Sequence, residues 1–149
     1  MSAIILLVEE PQWRSHRGLQ ARLKLAAEAA RRAVKLKGGF SILLADDKTL
    51  RRLNRDFRRL DKATNVLSFA SADQAWRGDI AIAYGVTRRE AKAASKSFAD
   101  HAVHLAVHGV LHLAGHDHER PKDAKVMEAL EVKILARLGI ADPYVIMPK

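Results

Sequence analysis

Residues 101–118 read HAVHLAVHGVLHLAGHDH and contain six of the seven histidines in the 149-residue chain. Positions 101, 104, 108 and 112 are spaced three, four and four residues apart, so on a helix these imidazoles form one stripe. Almost every other position up to residue 113 is apolar, which is typical of a helix that is buried nearly all round. The segment therefore predicts a buried helix with a row of histidines, around which the other elements pack.

Three of the histidines have the spacing of a metal site. His108 and His112 lie one helical turn apart and project from the same face. Gly115 can end the helix in the left-handed conformation, after which either His116 or His118 can return to the pair. We favour His118, because the longer connection gives the chain more room to fold back. Three neutral imidazoles with a fourth position left to water are typical of a catalytic zinc, so the spacing predicts a metal centre.

A second interpretation of the stripe needs no metal, because each imidazole could bond to a carbonyl or carboxylate group or line a wet cleft. An unpaired buried polar group costs roughly 1–3 kcal/mol, and one ion would satisfy several imidazoles together, which favours the metal centre. His104, one turn before His108, either supports that ligand or, as we favour, is a core histidine with its own partner. Asp117 could orient a ligand imidazole or cap its own loop.

The histidine spacing also matches the metzincin proteases, whose pattern is His-Glu-x-x-His-x-x-Gly-x-x-His. In this chain Gly109 replaces the glutamate that acts as general base in those enzymes, so peptide hydrolysis would lack its proton acceptor. A glycine inside a helix costs roughly 1 kcal/mol relative to alanine. Close approach of a substrate and packing against a sheet are equally good reasons for glycine at this position.

The composition limits the class of protein. The length fits one domain, and the absence of cysteine leaves only His, Asp and Glu as metal ligands. The apolar run at residues 3–8 is too short for a signal peptide or a membrane span, so we expect a cytoplasmic protein with no membrane partner. A net charge of +9, from 26 basic and 17 acidic residues, favours an anionic partner, although a basic proteome background would give the same value.

Hydrophobic periodicity predicts the other elements. Strands are expected at residues 3–8, 40–45, 66–69 and 80–84, and a first helix at residues 17–37. Because strands come singly or in pairs between helices, we expect one small mixed β-sheet of about four strands packed with about five α-helices. The expected starts of the later helices are Asp46 or Asp47, the capping-box residue Thr87, Ser97 or Asp100 for the histidine helix, and Pro121 for a last helix that ends at Gly139.

The second predicted helix is rich in arginine. A planar guanidinium suits a phosphate group, and a row of them suits a phosphate backbone. The alternative is an ordinary solvated helix face, which is the better interpretation for most of these residues. The basic face contains Arg51, Arg55 and Arg58, and the expected apolar stripe of the same helix contains Leu50, Leu53, Phe57 and Leu60.

The segment around the end of this helix resembles a known family. Residues 54–69 read NRDFRRLDKATNVLSF: Phe-Arg, then Asp, then Thr-Asn before an apolar strand, which resembles the YbeY family of bacterial rRNA-maturation endoribonucleases. The triplet Gly-Asp-Ile at residues 78–80 is similar to the start of the next strand in that family, and HGVLHLAGHDH at residues 108–118 is similar to its metal motif. The blocks occur in the expected order, and the flanking helices and the length also fit.

The resemblance implies an α+β fold that forms one metal-dependent endoribonuclease domain over residues 1–149. It implies one zinc ion, or another divalent transition metal, on His108, His112 and His118, with Arg58 and His112 as catalytic residues. Single-stranded RNA would be cleaved in rRNA processing, at the 3′ end of 16S rRNA, and in ribosome quality control, with a ribosomal subunit or ribosomal proteins as partners. Further candidates for contacts with the RNA or with a ligand imidazole are His104, His116, Asp117, Arg55, Thr64, Asn65 and Ser68.

The chain departs from the family at a few positions, and two other functions stay open. Family members often have tyrosine where His116 stands and proline where Ala70 stands, and Asn65 occupies a position that varies between Asp and Asn. An ion on the histidines would polarise a phosphate oxygen or lower the pKa of its water toward about 7, while Arg58 would stabilise charge on the phosphate. The alternatives are a non-enzymatic ribosome assembly factor with a structural metal and a metallohydrolase of non-RNA substrates.

Overall fold

A mixed sheet of four strands lies at the centre of the computed structural model, which describes residues 3–145. Its strands are β1 (Ile4–Val8), β2 (Gly39–Ala45), β3 (Val66–Ala70) and β4 (Trp76–Ala83), in the spatial order β1-β2-β4-β3. The first, second and fourth strands are parallel, and β3 pairs with β4 as an antiparallel hairpin. Parallel neighbours need a crossover between them, and helices supply it.

Within residues 3–145, one short 3-10 helix (Pro11–Ser15) and five α-helices accompany the sheet. The predicted α+β fold class, with one small mixed sheet and a buried histidine helix, is confirmed. No helix in this part of the chain combines the length and the apolar character that a membrane span needs. The helices are α1 (Leu19–Ala33), α2 (Asp47–Arg58), α3 (Tyr84–Ala93), α4 (Phe98–Leu113) and α5 (Pro121–Arg137).

Both faces of the sheet are buried, as the alternation of side chains along β4 shows. Ile80 and Ile82 belong to the large core that α1, α4 and α5 share with the sheet. Ala81 and Ala83 point the other way, into a smaller cluster that contains Leu50 of α2. Helices therefore cover the sheet on two sides, and α4 lies on the side with the larger core.

Helix α4 is the most buried helix, because its sequence is apolar over most of its circumference. Nine of its sixteen residues are buried, and they include Val103, Val107 and Leu111. The helix packs between α1 and α5 and across β3 and β4. The row of histidines is the polar part of its surface, so these imidazoles lie where α4 meets neighbouring elements rather than on an open helix face.

The apolar stripe expected along α2 is only partly correct. Leu50 is fully buried, but Phe57 is 69% exposed and Leu60 is 49% exposed. The helix ends at Arg58 because Arg59 takes a left-handed φ of 58°, so Leu60 lies beyond the helix. Phe57 contacts Phe69 on the edge strand β3, with ring centroids 5.4 Å apart, and this contact leaves most of its side chain exposed.

The expected start of α3 at Thr87 is wrong. The helix begins at Tyr84, where β4 was expected to end, and the Thr87 hydroxyl donates to the Ala83 carbonyl inside the first turn. The cap comes from elsewhere in the chain, because the Asp47 carboxylate accepts a 2.9 Å hydrogen bond from the Val86 N–H. A cap from a distant residue leaves no local sequence signal, whereas Asp46 and Ser97 cap α2 and α4 locally as expected.

Candidate metal centre

Two local features determine where α4 starts and ends. Ser97 caps its first turn, since the serine hydroxyl accepts a 3.0 Å hydrogen bond from the Asp100 N–H. At the other end Gly115 has φ +96°, and the His116 N–H donates to the Leu111 carbonyl at 3.0 Å. This is the closing pattern of a helix that ends in a left-handed residue. The turn reverses the chain and returns the following residues to the end of the helix.

The chain reversal brings His118 beside His108 and His112. One ring nitrogen from each of the three lies within 4.8 Å of the others, and the Nε2 atoms of His108 and His112 are 3.0 Å apart. The ring centroid of His118 lies 5.4 Å from that of His108 and 5.2 Å from that of His112. His118 is exposed and the other two are half-buried, so the cluster is open to solvent on one side. His116 lies outside it.

This donor set fits a transition metal. Imidazole nitrogens bind zinc and its neighbours, and bonds of about 2.0–2.1 Å place two ligand nitrogens on one ion no more than about 4 Å apart. The observed separations, all within 4.8 Å, therefore need only a small adjustment of the side chains. With no thiolate or carboxylate among the three, a divalent ion would keep its full charge. The solvent-open side leaves space for a further ligand.

A buried carboxylate orients His108. Glu131 of α5 is 0% exposed, and its Oε1 accepts a 2.6 Å hydrogen bond from Nδ1 of His108. The bond favours the tautomer with the proton on Nδ1, which leaves the Nε2 lone pair free. A carboxylate partner of this kind accompanies most metal-ligating histidines and holds the ring in place. The Glu131–His108 pair therefore positions Nε2 toward the cluster.

Glu131 has two further neighbours that keep it ionised. The Tyr144 hydroxyl donates to Oε2, and Nε2 of His104 lies 3.6 Å from Oε1. Burial alone would raise the pKa of Glu131, but the contacts with His104, His108 and Tyr144 outweigh burial and lower this pKa to about 2. Burial and the hydrogen bond to Glu131 raise the pKa of the Tyr144 phenol. His104 is thus a partnered histidine behind the cluster, also 3.3 Å from the Tyr144 hydroxyl.

Sequence reasoning missed Glu131, although the chain carries a signal for it. Glu131 follows Met127 by four residues and precedes Ile134 by three, so it lies on the buried stripe of α5. Val126, next to Met127 in the sequence, is 50% exposed and lies off that stripe. A carboxylate on a buried stripe needs partners, and the histidine row of the buried helix α4 offers them. That combination pointed to a Glu–His pair.

His112 is held in the form that binds metal. Burial is the main cause that lowers its pKa to about 4, and charge on His108 and His118 acts in the same direction, against the opposing effect of Glu131. The positive charge of Arg58 also contributes to the lowering. A neutral imidazole has a lone pair for a metal, so at neutral pH no proton has to leave His112 before an ion binds.

Arg58 lies at the end of α2, and its side chain is anchored on β3. Its Nη2 donates a 2.7 Å hydrogen bond to the Ser68 carbonyl, and its guanidinium carbon lies 5.6 Å from the centroid of the Phe69 ring. The Ser68 hydroxyl in turn donates to the Gly109 carbonyl at 3.1 Å. Because Gly109 follows His108 directly, this chain of contacts links Arg58 to the helix turn that carries the cluster.

Packing, rather than substrate approach, is the reason that the structure gives for Gly109. The residue is buried, and a Cβ built on it would lie 2.7 Å from Cγ2 and 3.1 Å from Cδ1 of Ile80. Real Cβ atoms do not approach carbon atoms so closely. Glycine therefore lets α4 lie directly on β4, which sets the depth of the histidine row over the sheet.

Asn65 and His101 belong to a second network beside the cluster. The Asn65 amide donates to Oε1 of Glu90 at 3.0 Å, and Nε2 of His101 lies 2.9 Å from the same oxygen. The Asn65 side-chain oxygen accepts a 2.7 Å hydrogen bond from the Val66 N–H. These groups line one wall of a cavity of about 240 Å³ that extends to His108. Asn65 therefore shapes the approach to the cluster rather than joining it.

The remaining candidates are peripheral. Asp117 caps its own loop, since its Oδ1 accepts a 3.3 Å hydrogen bond from the Glu119 N–H. Arg55 is exposed and pairs with the neighbouring Asp56 at 3.1 Å. Thr64 is half-buried near the end of the loop that leads into β3. In the described part of the chain, the carboxylate that is hydrogen-bonded to a histidine of the cluster is Glu131, while the hydrogen bond recorded for Asp117 lies within its own loop.

Comparisons with known proteins agree with this arrangement. The family model described as Endoribonuclease YbeY matches residues 9–139. An Endoribonuclease YbeY of Maricaulis maris is 44% identical over 151 residues, which cover 97% of this chain and 92% of the relative. An Endoribonuclease YbeY of Chelativorans sp. is 50% identical over 135 residues, which cover 86% of this chain and 82% of the relative.

The fold is also similar to a solved structure. The solution structure of TM1509 from Thermotoga maritima superposes with a TM-score of 0.65 at 25% sequence identity. The match covers 91% of this chain and 89% of the other. The two chains thus share the fold over most of their lengths.

Proposed function

The chain belongs to the YbeY family of endoribonucleases, and we propose that it is a metal-dependent enzyme that cleaves single-stranded RNA. One observation carries the proposal: three imidazole nitrogens converge within 4.8 Å at the solvent-open end of α4. The names of its relatives support RNA as the substrate. Residues 1–149 would act as one catalytic domain, since the family match spans most of that length.

His108, His112 and His118 would hold one zinc ion or another divalent transition metal. An ion bound there would polarise a phosphate oxygen and make a bound water more acidic. Glu131 would keep His108 in its ligating tautomer through the 2.6 Å hydrogen bond to Nδ1. The low pKa of His112 leaves that imidazole neutral over the physiological range. The chain itself thus supplies a neutral, oriented donor set.

Arg58 would hold the phosphate that is cleaved. One of its nitrogens is occupied by the Ser68 carbonyl, which leaves other N–H donors of the guanidinium for phosphate oxygens. The anchoring on Ser68 and Phe69 limits the motion of this side chain, so less freedom is lost when a phosphate binds. Negative charge that develops on the phosphate would be stabilised by donors already in place.

Ribosomal RNA is the substrate that we propose for this activity. The net charge of +9 favours a polyanion, and contacts with phosphates give affinity without sequence choice. Selection of a site would then come from the ribosomal context, through contacts with a ribosomal subunit or its proteins. We place the activity in the cytoplasm, in maturation of the 3′ end of 16S rRNA and in ribosome quality control.

A comparison of two histidine variants tests the proposal. Single-stranded rRNA fragments are incubated with wild-type protein, His112→Ala and His116→Ala, and zinc content is measured on the same preparations. His116 is a matched control, because it is a neighbouring histidine outside the cluster. We expect wild type and His116→Ala to bind zinc and cleave, and folded His112→Ala to do neither.

Other outcomes contradict parts of the proposal. Equal cleavage by His112→Ala would mean a contaminating nuclease or a site without the metal. Zinc binding without cleavage by any preparation would favour a non-enzymatic binding factor. Cleavage of casein or of a model peptide by the wild type alone would indicate a metallohydrolase of another class.

A further inference from the structure

A group of cations surrounds a second cavity, away from the three histidines. The cavity has a volume of about 320 Å³ and lies between the C-terminal ends of α1 and α4 and the turn of the β3–β4 hairpin. Lys35, Lys37 and Arg77 line it, and no carboxylate does. Within residues 3–145 none of these three side chains forms an ion pair. Three positive charges thus face one concave space without a counterion from the chain.

Arg77 carries the strongest indication that a ligand binds there. Its Nε is buried and has no hydrogen-bond partner in the described part of the chain. A buried donor without an acceptor is unfavourable, and the side chain that carries it lines the cavity. Gly38 makes room for the side chain, since a Cβ at Gly38 would lie 2.8 Å from Cγ of Arg77. The backbone is therefore shaped to hold this arginine against the cavity wall.

The C-terminal end of α1, beside the cavity, does not need the lysine side chains as caps. The Leu36 N–H donates to the Arg31 carbonyl at 3.0 Å, and the Lys35 N–H donates to the Arg32 carbonyl at 3.2 Å. The carbonyl groups of Arg31 and Arg32, in the last turn of α1, are thus already satisfied by the backbone. Capping of that helix does not account for the lysine side chains, which leaves their charge available to a ligand.

The cavity lies at the same end of α4 as the metal centre. Ala114, which lines it, comes two residues after His112. The start of β4 packs against the last turn of the helix, since a Cβ at Gly78 would lie 2.8 Å from Cδ2 of Leu113. A strand of RNA that passes the three histidines therefore has a short path around this helix end to Arg77.

We propose that the cavity lined by Lys35, Lys37 and Arg77 binds a backbone phosphate of the RNA, at a distance from the phosphate that is cleaved. The proposal rests on the proposed function of the metal centre. A phosphate suits the site because guanidinium and ammonium groups are the usual donors to phosphate oxygens. An acidic peptide is the less favourable ligand, because the cavity is small and its charged walls offer little apolar surface for side chains.

The test is RNA binding by full-length, zinc-loaded protein as a function of salt. Fluorescence anisotropy with a labelled single-stranded RNA is recorded between about 50 and 200 mM salt, under conditions in which a gel shows intact RNA. The variants are Arg77→Gln, Arg77→Lys and Lys37→Gln. Lys24→Gln is the matched control, because it removes one exposed charge from α1 outside the cavity.

We expect Arg77→Gln to weaken binding several-fold and to reduce the salt slope by about 0.7, the value for one phosphate contact on a single strand. Arg77→Lys should restore part of the affinity, and Lys37→Gln should show a smaller loss. Zinc content and cleavage of an RNA too short to reach the cavity should stay at wild-type values. Those two readouts separate failure of this site from failure of the proposed function.

Three results would overturn the proposal. The first is wild-type affinity and salt slope in Arg77→Gln or, if that variant does not fold, in Lys37→Gln. The second is an equal loss in Lys24→Gln, which would mean that net charge alone matters. The third is that the wild type binds inorganic phosphate or an acidic peptide and Arg77→Gln does not, while both proteins bind RNA equally well.

Discussion

Nδ1 of His108 lies 2.6 Å from Oε1 of Glu131, a carboxylate that is 0% exposed and comes from a different helix. Removal of its charge should weaken metal binding, because the carboxylate holds the ring and increases its basicity. We expect Glu131→Gln to lower zinc affinity by about 10–100-fold, measured by competition with a chromogenic chelator.

Glu128→Gln is the control for this prediction. It removes the same charge from α5 three residues earlier, where the side chain does not contact His108. Zinc affinity of Glu128→Gln should equal that of the wild type. Unchanged affinity in Glu131→Gln would show that the charge of this carboxylate has no part in metal binding.

Arg58 should affect cleavage without affecting metal binding. Its guanidinium lies on Ser68 and Phe69 rather than on a histidine. Loss of one preorganised donor to a developing charge costs about 10²–10³ in kcat, so Arg58→Ala should show that loss with normal zinc content. Arg55→Ala, from the same exposed face, should cleave within a few-fold of wild type. The role of Arg58 is refuted by wild-type kcat at saturating RNA.

We predict that Gly109 is needed for the stability of the fold rather than for contact with the substrate. Alanine at this position places Cβ 2.7 Å from Cγ2 of Ile80, and overpacking of this kind costs about 1–3 kcal/mol, more than the roughly 1 kcal/mol gained in helix propensity. We expect Gly109→Ala to lower the midpoint of thermal unfolding, with residual activity that follows the folded fraction. A stable Gly109→Ala protein without activity would instead favour the substrate explanation.

The stability of the metal-free protein should decrease in mild acid. Burial lowers the pKa of His101, and its hydrogen bond to Glu90 only partly opposes this. In the unfolded chain a histidine takes up its proton near pH 6.5, whereas folded His101 takes it up at lower pH. The unfolded state therefore binds more protons just below pH 6.5, and the free energy of unfolding falls as the pH decreases through that range.

Urea unfolding at about pH 7.5 and about pH 5.5 measures this effect. His101→Gln keeps an N–H donor for Glu90 but cannot titrate, so the variant should lose less stability between the two pH values than the wild type. Equal losses in the two proteins would assign the pH dependence to other groups.

The sequence predicted the parts of the site that local rules govern. Helical spacing put His108 and His112 on one face, and Gly115 with φ +96° supplies the turn that brings His118 back. The apolar surroundings of these residues also predicted correctly that α4 is buried. All of these features depend on residues within about one or two helical turns of each other, where side-chain periodicity determines position.

The features that the sequence did not predict depend on distant partners. Glu131 can contact His108 only because α5 packs beside α4. The cap of α3 comes from Asp47, which lies 39 residues before Val86, the residue whose N–H it binds. Gly109 had two equal explanations until the position of Ile80 was known. Tertiary contacts of this kind leave a trace in the sequence only as a polar or small residue in an apolar pattern.

Reconstitution of metal-free protein with zinc tests the central claim most directly. Protein stripped by a chelator is titrated with zinc, and cleavage of single-stranded rRNA is followed beside the amount of bound metal. The three-histidine centre predicts no cleavage without metal and a linear rise to full activity at one equivalent per chain, absent in His112→Ala. Full activity of the stripped protein, or a rise that continues unchanged in His112→Ala, would contradict it.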